Sequence, residues 1–424
     1  MAWNRSAGAW IALLASLMLA ACSGGDAGSD GAGTAEMRYP PTANDDAFYA
    51  QPQPMPQVPP GTILNSRAVR FAPYGVPLPN PAWQLQYMSA DLHGKPQAAI
   101  ATVVKPLIPS LTGGAPLLSY QFAINSAGLK CAPSHQVTGS RENLNSQLEA
   151  LQYLPLLEVF GWTLVFPDHL GPASSVAVGR IAAPIVLDGI RAAESFEPLG
   201  LDGVNTPVGM MGYSGGALAT TWSAALQPDY APELNLVGVA AGGLPANAES
   251  LIKAFDGTAF FDIAFGAIIS INRVFPQLLP PGLLNAEGER AANAVKDGCL
   301  GGTTDGSPAP GGHLADYVTS DDVYATPGAQ DVMPQLSLPQ PGEVPTAEMY
   351  FYHQRFDQLA LAGEADKVAD AWCEAGARIH YYKDLTGEHF AGAVTAAPSM
   401  YLYLASRFSN LPVTVVPVGT QSCN

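Results

Sequence analysis

Residues 212–216, Gly-Tyr-Ser-Gly-Gly, hold the pattern that decides the fold. The residues before them, 206–211, are mostly apolar and predict a short buried strand. Residues 217–226 predict a helix that Pro228 breaks. Glycines two positions either side of Ser214 let the chain turn sharply without Cβ clashes. The order strand, turn and helix predicts a nucleophile elbow that presents the Ser214 hydroxyl; the alternative is a small-residue turn that only packs a helix on a sheet.

Composition limits the class of protein. The chain has 424 residues, which at roughly 150 residues per domain predicts two or three units. Hydrophobic residues make up 48% and charged residues only 13%, which indicates a sizeable core and excludes a disordered or coiled-coil chain. The net charge is -17 and no two Lys or Arg residues are adjacent. The basic surface that nucleic acid requires is therefore absent from the sequence, and we expect no nucleic-acid partner.

The N-terminus predicts export. Residues 1–21 have the shape of a signal peptide, with Arg5 ahead of a mostly apolar run that is too short to span a membrane. The run ends Leu-Ala-Ala-Cys, which resembles a bacterial lipobox and predicts a lipid anchor on Cys22 and a place in the bacterial cell envelope. The alternative is an ordinary secretory signal. Residues 22–44 are rich in Gly, Ser, Asp and Ala and predict a flexible tether.

Cysteine number fits an oxidising compartment. Apart from Cys22, four cysteines remain, which are Cys131, Cys299, Cys373 and Cys423. An even number in an exported protein predicts two disulfides, and the residues alone leave three pairings open. The spacings do not resemble a zinc site, and we expect no metal and no cofactor.

Strands and helices alternate along most of the chain. Apolar or alternating segments predict strands at residues 83–87, 98–104, 117–122, 162–166, 206–211, 234–239, 348–353 and 378–382. Helices are predicted at residues 151–159, 181–193, 217–226, 362–375 and about 391–408. This alternation predicts an α/β fold with a mostly parallel central sheet and helices on both faces.

The alternation stops between residues 244 and 344. This segment is rich in Phe, Ile and Leu and then in Gly, Ser and Pro. We interpret it as a mainly helical cap inserted between two parts of the core, residues 45–243 and 345–424. Such a cap can line an acyl-binding pocket, although an ordinary helical subdomain that buries its own core explains the composition equally well.

Ser214 needs a histidine base, and the histidine needs a carboxylate to orient it. In an elbow fold these residues follow in the order Ser, acid, His, each beyond the end of a strand. His389 meets this rule, since it lies seven residues past the last predicted strand. The other candidates fail it: His380 lies inside that strand, His313 lies in a glycine-rich loop, and His353 precedes the acid.

Asp357 is the predicted acid, because it lies four residues past its strand, whereas Glu364, Asp366 and Asp370 fall in the following helix and predict a solvated face. The oxyanion of the reaction needs preorganised donors. We expect them from the backbone N–H of Gly215 and from Asn125 in the loop after the 117–122 strand. Asp168 and His169 end another strand and are interpreted as packing and hydrogen-bonding residues.

Several of these stretches together resemble the secretory lipase family from about Asp45 to the C-terminus. The similar stretches are residues 45–49, 83–87, 119–121, 131–134, 187–191, 212–217, 230–234 and 388–389. The resemblance implies an α/β-hydrolase core with an inserted cap, acting on lipid or other carboxylic esters. It also implies nucleophile Ser214, acid Asp357 and base His389, and the disulfides Cys131 to Cys299 and Cys373 to Cys423.

This chain departs from the family pattern at Asn125, where the family's type enzyme has an aspartate. An amide donates without first being protonated, so the oxyanion site is expected to work, with a different pH dependence and acyl preference. The sequence thus predicts a serine carboxylic-ester hydrolase that acts through an acyl-enzyme. The alternatives are an acyltransferase that uses the same residues and a surface lipoprotein that binds lipid without turnover.

Overall fold

A computed structural model describes residues 37–300 and 306–424 of the chain. The predicted signal peptide, Cys22 and most of the predicted tether lie outside the described residues. Within the described part, the strands form one sheet in the order β1-β2-β3-β5-β4-β6-β7-β8-β9-β10. Their bounds are β1 Ile63–Arg70, β2 Pro81–Ala90, β3 Pro96–Val104, β4 Leu117–Gln121, β5 Thr163–Pro167, β6 Val208–Tyr213, β7 Leu236–Gly242, β8 Met349–Gln354, β9 Ile379–Asp384 and β10 Gln421–Cys423.

The middle of the sheet, from β5 to β9, is parallel, and the strands outside it pair antiparallel. The helices are α1 Pro133–Gln136, α2 Leu144–Glu158, α3 Gly179–Ser195, α4 Gly215–Tyr230, α5 Ala248–Phe255, α6 Phe261–Asn272, α7 Ala286–Val295, α8 Pro327–Gln335, α9 Ala362–Glu374, α10 His389–Thr395 and α11 Ala397–Phe408. The predicted mixture of a mostly parallel sheet and helices is present.

Both faces of the central strands are buried, which explains their continuous apolar sequences. Met210 of β6 packs in the core that α3, α4 and α9 cover, and the next residue, Met211, packs in the core that α2 and α11 cover. Leu117 and Leu118 of β4 divide in the same way. Since side chains alternate along a strand, each parallel strand supplies both cores.

Three details of the sequence-based prediction are wrong. Pro228 does not break the elbow helix, because α4 continues to Tyr230 and a proline in the last turn removes only one helical donor. The single helix predicted over about 391–408 is two helices, and Pro398 lies in the first turn of the second, where no donor is needed. Strands β1 and β10 were not predicted, since β1 is half exposed and β10 has three residues.

The predicted tether, residues 22–44, includes residues that belong to the folded part of the chain. Arg38 and Tyr39, which fall inside the 22–44 segment, pack against the folded part of the chain. Both side chains donate hydrogen bonds to the Glu289 carboxylate, and the Tyr39 ring is buried. Thr42 donates to Asp297 through its backbone and its hydroxyl. An aromatic ring with a partner for its hydroxyl stabilises a segment whose composition otherwise favours a flexible chain.

Helices α5 to α8 lie between β7 and β8, in the segment predicted to be a cap. The buried face of α6 includes Phe261, Phe265 and Ile269, which join the larger core. In the described part of the chain, no helix is both long enough and apolar enough to cross a membrane. Apolar residues of the segment lie in the same core as those of the central strands.

The two disulfides are Cys131 to Cys299 and Cys373 to Cys423, the pairing that the family resemblance implies. The first joins the region after β4 to Cys299, which follows α7 inside the predicted cap segment, 168 residues later. The second fastens β10 and the C-terminus to α9, 50 residues earlier. Both bonds therefore link segments that are distant in sequence.

Burial of Glu194 makes the stability of the fold depend on pH. It lies in α3, is 8% exposed, and one carboxylate oxygen has no hydrogen-bond partner. Burial and the nearby Glu233 raise the pKa of Glu194 from its usual 4.5 to about 8. Between these values the folded chain keeps a proton that the unfolded chain has lost, so stability falls as the pH rises.

We therefore expect Glu194→Gln to be more stable than the parent protein at high pH. The difference in the free energy of unfolding should grow to a few kcal/mol between about pH 5 and pH 9, when measured by chemical denaturation. Glu197→Gln, at an exposed position on the next turn, is the matched control and should show no such growth. Parallel stability curves for Glu194→Gln and the parent would contradict the assignment.

Candidate active site

Ser214 occupies the turn between β6 and α4. Its backbone has φ 55° and ψ -124°, a conformation that residues with a side chain rarely adopt. Its N–H donates to the carbonyl of Gly242 over 2.8 Å, which fixes the turn against β7. A Cβ at Gly212 would lie 2.4 Å from the Gly216 oxygen, and one at Gly216 would lie 2.0 Å from the Gln121 oxygen. Only glycine fits at these two positions, as the elbow prediction requires.

Ser214, His389 and Asp357 lie in a row. His389 Nε2 is 2.8 Å from Ser214 Oγ, and His389 Nδ1 is 2.7 Å from Asp357 Oδ2. Asp357 Oδ1 accepts the backbone N–H groups of Leu359 and Ala360. These two bonds aim the other carboxylate oxygen at the imidazole. The residues come from three loops, after β6, β8 and β9, so the fold brings together side chains that are up to 175 residues apart.

The neighbours of His389 hold it in place. It is the first residue of α10, and its backbone N–H donates to Gln358 Oε1. Its carbonyl accepts the hydroxyl of Tyr213, the residue before Ser214. The carboxylate of Glu388 caps α10 by accepting the N–H groups of Phe390 and Ala391. The backbone of His389 is therefore bound both to the elbow, through Tyr213, and to the loop that contains Asp357, through Gln358.

Asn125 lies beside the elbow. It has φ 45° in the loop after β4, and a Cβ at Gly215 would lie 2.3 Å from its Oδ1. The loop is anchored because the N–H of Ala123 donates to Glu149 and the carbonyl of Ile124 accepts from Asn143. The structure thus places Asn125 and Gly215 in contact distance, on the wall of the cavity that also contains Ser214 and His389.

This cavity, which we call the site cavity, has a volume of about 160 Å³. Most of its wall is apolar. Leu251, Phe255 and Ile263 line it from the cap segment, and Leu148 and Val394, which are largely exposed, line it from α2 and α10. A mostly apolar pocket with a few convergent polar groups suits an apolar substrate with one reactive polar centre.

Two polar residues in the site cavity were not predicted as part of the site. Glu149 of α2 is buried, and burial raises the pKa of its carboxyl well above the usual value. His169, expected only to pack at the end of β5, lines the cavity too, and burial lowers its pKa to about 4. Burial therefore favours the uncharged form of both side chains. No motif in the sequence marks Glu149 or His169 as part of a site.

The other candidates lie elsewhere or act differently. Asp168 accepts hydrogen bonds from the backbone and hydroxyl of Ser134, and burial raises its pKa to about 7. His353 is buried 3.6 Å from Asp357 Oδ2, and its Nε2 lies 2.7 Å from the Ala360 oxygen, so it supports the acid loop. His380 contacts Ser422 and Glu348, and His313 contacts Asp256. Glu364, Asp366 and Asp370 lie on α9.

Comparison with known families agrees with this geometry. The sequence model of the family described as secretory lipase matches residues 135–415. The chain belongs to the secretory lipase family. Among relatives, the secreted triacylglycerol lipase LIP5 of Malassezia furfur is 32% identical over 340 residues, covering 76% of this chain and 86% of that protein. Lipase 9 of Candida albicans is 32% identical over 389 residues, covering 87% and 83%.

One bacterial member of the secretory lipase family has a different description. A Mycobacterium tuberculosis protein described as probable inactive lipase MT1628 is 32% identical over 381 residues, covering 88% of this chain and 83% of that protein. Membership in the family supports a lipase-type hydrolase and an exported protein. Whether a member turns over substrate depends on its active-site residues, since one member is described as probably inactive.

The solved structures identify the fold. Candida antarctica lipase A in its closed state superposes with a TM-score of 0.78 at 24% identity, covering 88% of this chain and 87% of that one. The rice cell wall degrading esterase LipA of Xanthomonas oryzae gives 0.58 at 16% identity, covering 83% and 97%. This secretory lipase family member has the predicted α/β-hydrolase fold.

Proposed function

We propose that the protein is a serine carboxylic-ester hydrolase that acts on lipid-like esters through an acyl-enzyme on Ser214. The observation that carries the proposal is the row of contacts from Ser214 Oγ through His389 to Asp357. A serine hydroxyl becomes a good nucleophile when an oriented imidazole takes its proton. The strained backbone at Ser214 supports the proposal, since such strain concentrates at functional sites.

The chemistry follows from the atoms. Ser214 Oγ attacks the ester carbonyl carbon while His389 Nε2 takes its proton, and Asp357 stabilises the imidazolium that forms. The backbone N–H of Gly215 and the amide of Asn125 donate to the oxyanion. The intermediate then expels the alcohol, which leaves with the proton from His389. Water, deprotonated by His389, attacks the acyl-enzyme and releases the carboxylic acid and Ser214.

The apolar wall of the site cavity favours acyl groups made of hydrocarbon. Two relatives carry the names triacylglycerol lipase and lipase, so we extend a lipid ester substrate to this chain. The exposed side chains of Leu148, Leu151, Phe390 and Val394 surround this cavity and suit contact with a lipid phase.

A fluorophosphonate probe tests the proposal directly. We expect stoichiometric labelling, with the adduct found on Ser214 by peptide mass spectrometry, and a burst of nitrophenol from p-nitrophenyl butyrate. Prior denaturation of the protein should abolish the label. A folded protein without a labelled serine would contradict the proposal and would support the alternative of a lipid-binding protein without turnover.

The acyltransferase alternative uses the same acyl-enzyme but passes the acyl group to an alcohol. Product analysis in water with added butanol separates the two reactions. Free acid as the main product supports hydrolysis, and butyl ester in excess at low butanol concentration supports transfer.

Asn125 provides a test of the oxyanion site. We expect Asn125→Leu to lower kcat about a hundredfold to a thousandfold, because an amide donor is lost and the apolar isostere cannot replace it. Asn125→Asp should be active only at lower pH, where the carboxyl is protonated and can donate. Asn65→Leu, at an exposed position on β1, is the matched control. Asn143→Leu is not suitable, because the Asn143 side chain donates to the carbonyl of Ile124 and so holds the loop that contains Asn125. An unchanged kcat for Asn125→Leu would exclude this role.

We also propose that Cys22 carries a lipid anchor in the bacterial cell envelope. The lipobox-like sequence before Cys22 supports this proposal. Two or more acyl chains hold a protein stably on a membrane. Intact mass of the mature protein decides the matter: an N-terminal cysteine with acyl groups supports the anchor, and an unmodified N-terminus contradicts it.

A further inference from the structure

One polar side chain in the wall of the site cavity takes no part in the proposed reaction. Glu149 of α2 is 6% exposed and lines this cavity together with Ser214 and His389. Its Oε1 accepts the backbone N–H of Ala123 over 2.7 Å. Within the described residues, its Oε2 has no hydrogen-bond partner. The loop after β4 therefore occupies one oxygen of the carboxyl and leaves the other unpaired.

Glu149 lies close to the proposed oxyanion site. The Cα of Ala123 lies 3.7 Å from the position that a Cβ on Gly215 would occupy. Asn125, two residues after Ala123, is in contact distance of the same glycine. A carboxyl that accepts the Ala123 N–H thus borders the backbone that would hold the ester oxygen.

An unpaired carboxyl oxygen is costly in this place. Buried polar groups in proteins are almost always hydrogen-bonded, and a group left without a partner destabilises the fold. Most of the wall of the site cavity is apolar and offers Oε2 little compensation. The terminal torsion of a glutamate is soft, so a small rotation turns Oε2 toward a molecule in the cavity. A ligand that brings its own polar group would remove the cost.

The chemistry of the carboxyl selects the kind of partner. Burial raises the pKa of Glu149 well above its usual value, which favours the protonated form. A protonated carboxyl donates one hydrogen bond, whereas an ionised carboxylate only accepts. A hydroxyl group both donates and accepts, so it pairs with Oε2 in either form. An ester carbonyl pairs with the protonated form alone, and hydrocarbon pairs with neither.

We infer that Glu149 binds a hydroxyl group of the substrate, close to the ester that Ser214 attacks. The inference rests on the proposed function and names a class of substrate for it, hydroxylated carboxylic esters. The hydroxyl belongs either to the acyl part, as in a 3-hydroxyacyl ester, or to the alcohol part, as in a partial ester of a polyol. Both sources present the same hydrogen-bonding group to Glu149.

Pairs of esters that differ by one hydroxyl test the inference. The esters p-nitrophenyl 3-hydroxybutyrate and p-nitrophenyl 3-methylbutyrate differ in the acyl part, and 2-hydroxyethyl butyrate and propyl butyrate differ in the alcohol part. In each pair a methyl group replaces the hydroxyl at nearly the same volume. Rates are measured by the titration of released acid.

We expect the parent protein to favour the hydroxylated ester about tenfold in kcat/KM in one of the two pairs, because the methyl analogue leaves Oε2 unpaired. The pair that shows the preference identifies the part of the substrate that carries the hydroxyl. An apolar wall alone would favour the methyl analogue in both pairs, since a buried hydroxyl without a partner is unfavourable.

Two variants of Glu149 separate recognition of the hydroxyl from support of the loop. Glu149→Gln keeps an oxygen for the Ala123 N–H and a donor for the hydroxyl, so it should keep the preference. Glu149→Met removes both bonds. A displaced loop lowers kcat/KM for both members of a pair and leaves their ratio unchanged, whereas loss of the hydroxyl contact should turn the ratio in favour of the methyl analogue.

The matched control is Gln152→Met, one turn further along α2. Gln152 also lines the site cavity, is 5% exposed and accepts the hydroxyl of Tyr120. Its replacement should leave the ratio as it is in the parent protein. Among the described residues that line the cavity, Nδ1 of His169 is the other buried atom without a partner, and His169→Phe should likewise leave the ratio unchanged.

A parent protein that favours the hydroxylated ester in neither pair overturns the inference, and so does a preference that survives in Glu149→Met. An equal loss of the preference in Gln152→Met or His169→Phe also overturns it, because the hydroxyl would then lie elsewhere. Circular dichroism melts confirm that each variant is folded, and Glu149→Ala replaces Glu149→Met if the latter unfolds.

Failure of the proposed function gives a different result. In that case the parent protein hydrolyses no ester of either pair, and the intact esters serve as ligands in isothermal titration calorimetry. A hydroxylated ester that binds about tenfold more tightly than its methyl analogue, with the difference lost in Glu149→Met, supports a hydroxyl site without turnover. Equal Kd values within each pair, or no binding, overturn the inference.

Discussion

Replacing Ser214 by alanine should lower kcat for p-nitrophenyl butyrate by about a millionfold, leaving only the residual rate that the oxyanion donors supply. In the proposed reaction, the Ser214 hydroxyl is the group of the protein that forms a covalent bond to the substrate. His389 remains in place in the variant, because the Tyr213 hydroxyl and Gln358 still hold its backbone. The loss should therefore appear in the chemical step, measured as the release of nitrophenol under substrate saturation.

Ser66→Ala, at an exposed position on β1, is the control for handling and expression. Both variants should melt within a few degrees of the parent protein. Labelling by fluorophosphonate should vanish in Ser214→Ala and persist in Ser66→Ala. Ester turnover that survives in Ser214→Ala at more than a few thousandths of the parent rate would mean that another group is the nucleophile.

Asp357→Asn should reduce kcat about ten-thousandfold with little change in fold. Asp357 Oδ1 accepts two backbone N–H groups, so the asparagine keeps its oxygen there and turns its amide nitrogen toward His389. A donor at that position forces Nδ1 of the imidazole to accept. The ring then carries its proton on Nε2 and cannot take one from Ser214.

Asp366→Asn, on α9, changes the same atoms on a helix outside the site and should retain nearly full kcat. Comparing kcat of the two variants shows whether the loss comes from the orientation of His389 or only from the removal of one negative charge. A fall of less than about tenfold in Asp357→Asn would show that the imidazole does not depend on this carboxylate.

Much of the fold follows from local patterns. Continuous apolar runs predicted the central strands, because parallel strands are buried on both faces, and the glycines around Ser214 predicted the elbow. The order of residues along the chain selected Ser214, Asp357 and His389, which the structure brings into contact. The three side chains lie close together because each residue comes just after a strand whose end faces the same edge of the sheet.

The remaining features depend on contacts that no local pattern encodes. Strand β1 is half exposed and lacks a clear alternation, and Tyr39 is ordered by a partner some 250 residues away. Glu149 and His169 enter the site cavity only because α2 and the end of β5 meet there. A second cavity, between the N-terminal segment around Tyr49, strand β3 and the loops after β4 and β5, is likewise a property of the assembled fold.

The disulfide between Cys131 and Cys299 lies close to the proposed active site and forms only under oxidising conditions. It fastens the chain shortly after Asn125 to the residue before Leu300, which lines the site cavity. A thiol-reducing cytosol leaves both cysteines free, so protein made there contains Ser214, Asp357 and His389 without the covalent bond behind the Asn125 loop. Recombinant production in a periplasm, with an isomerase to correct mispaired bonds, is accordingly the route to material on which the rates above can be measured.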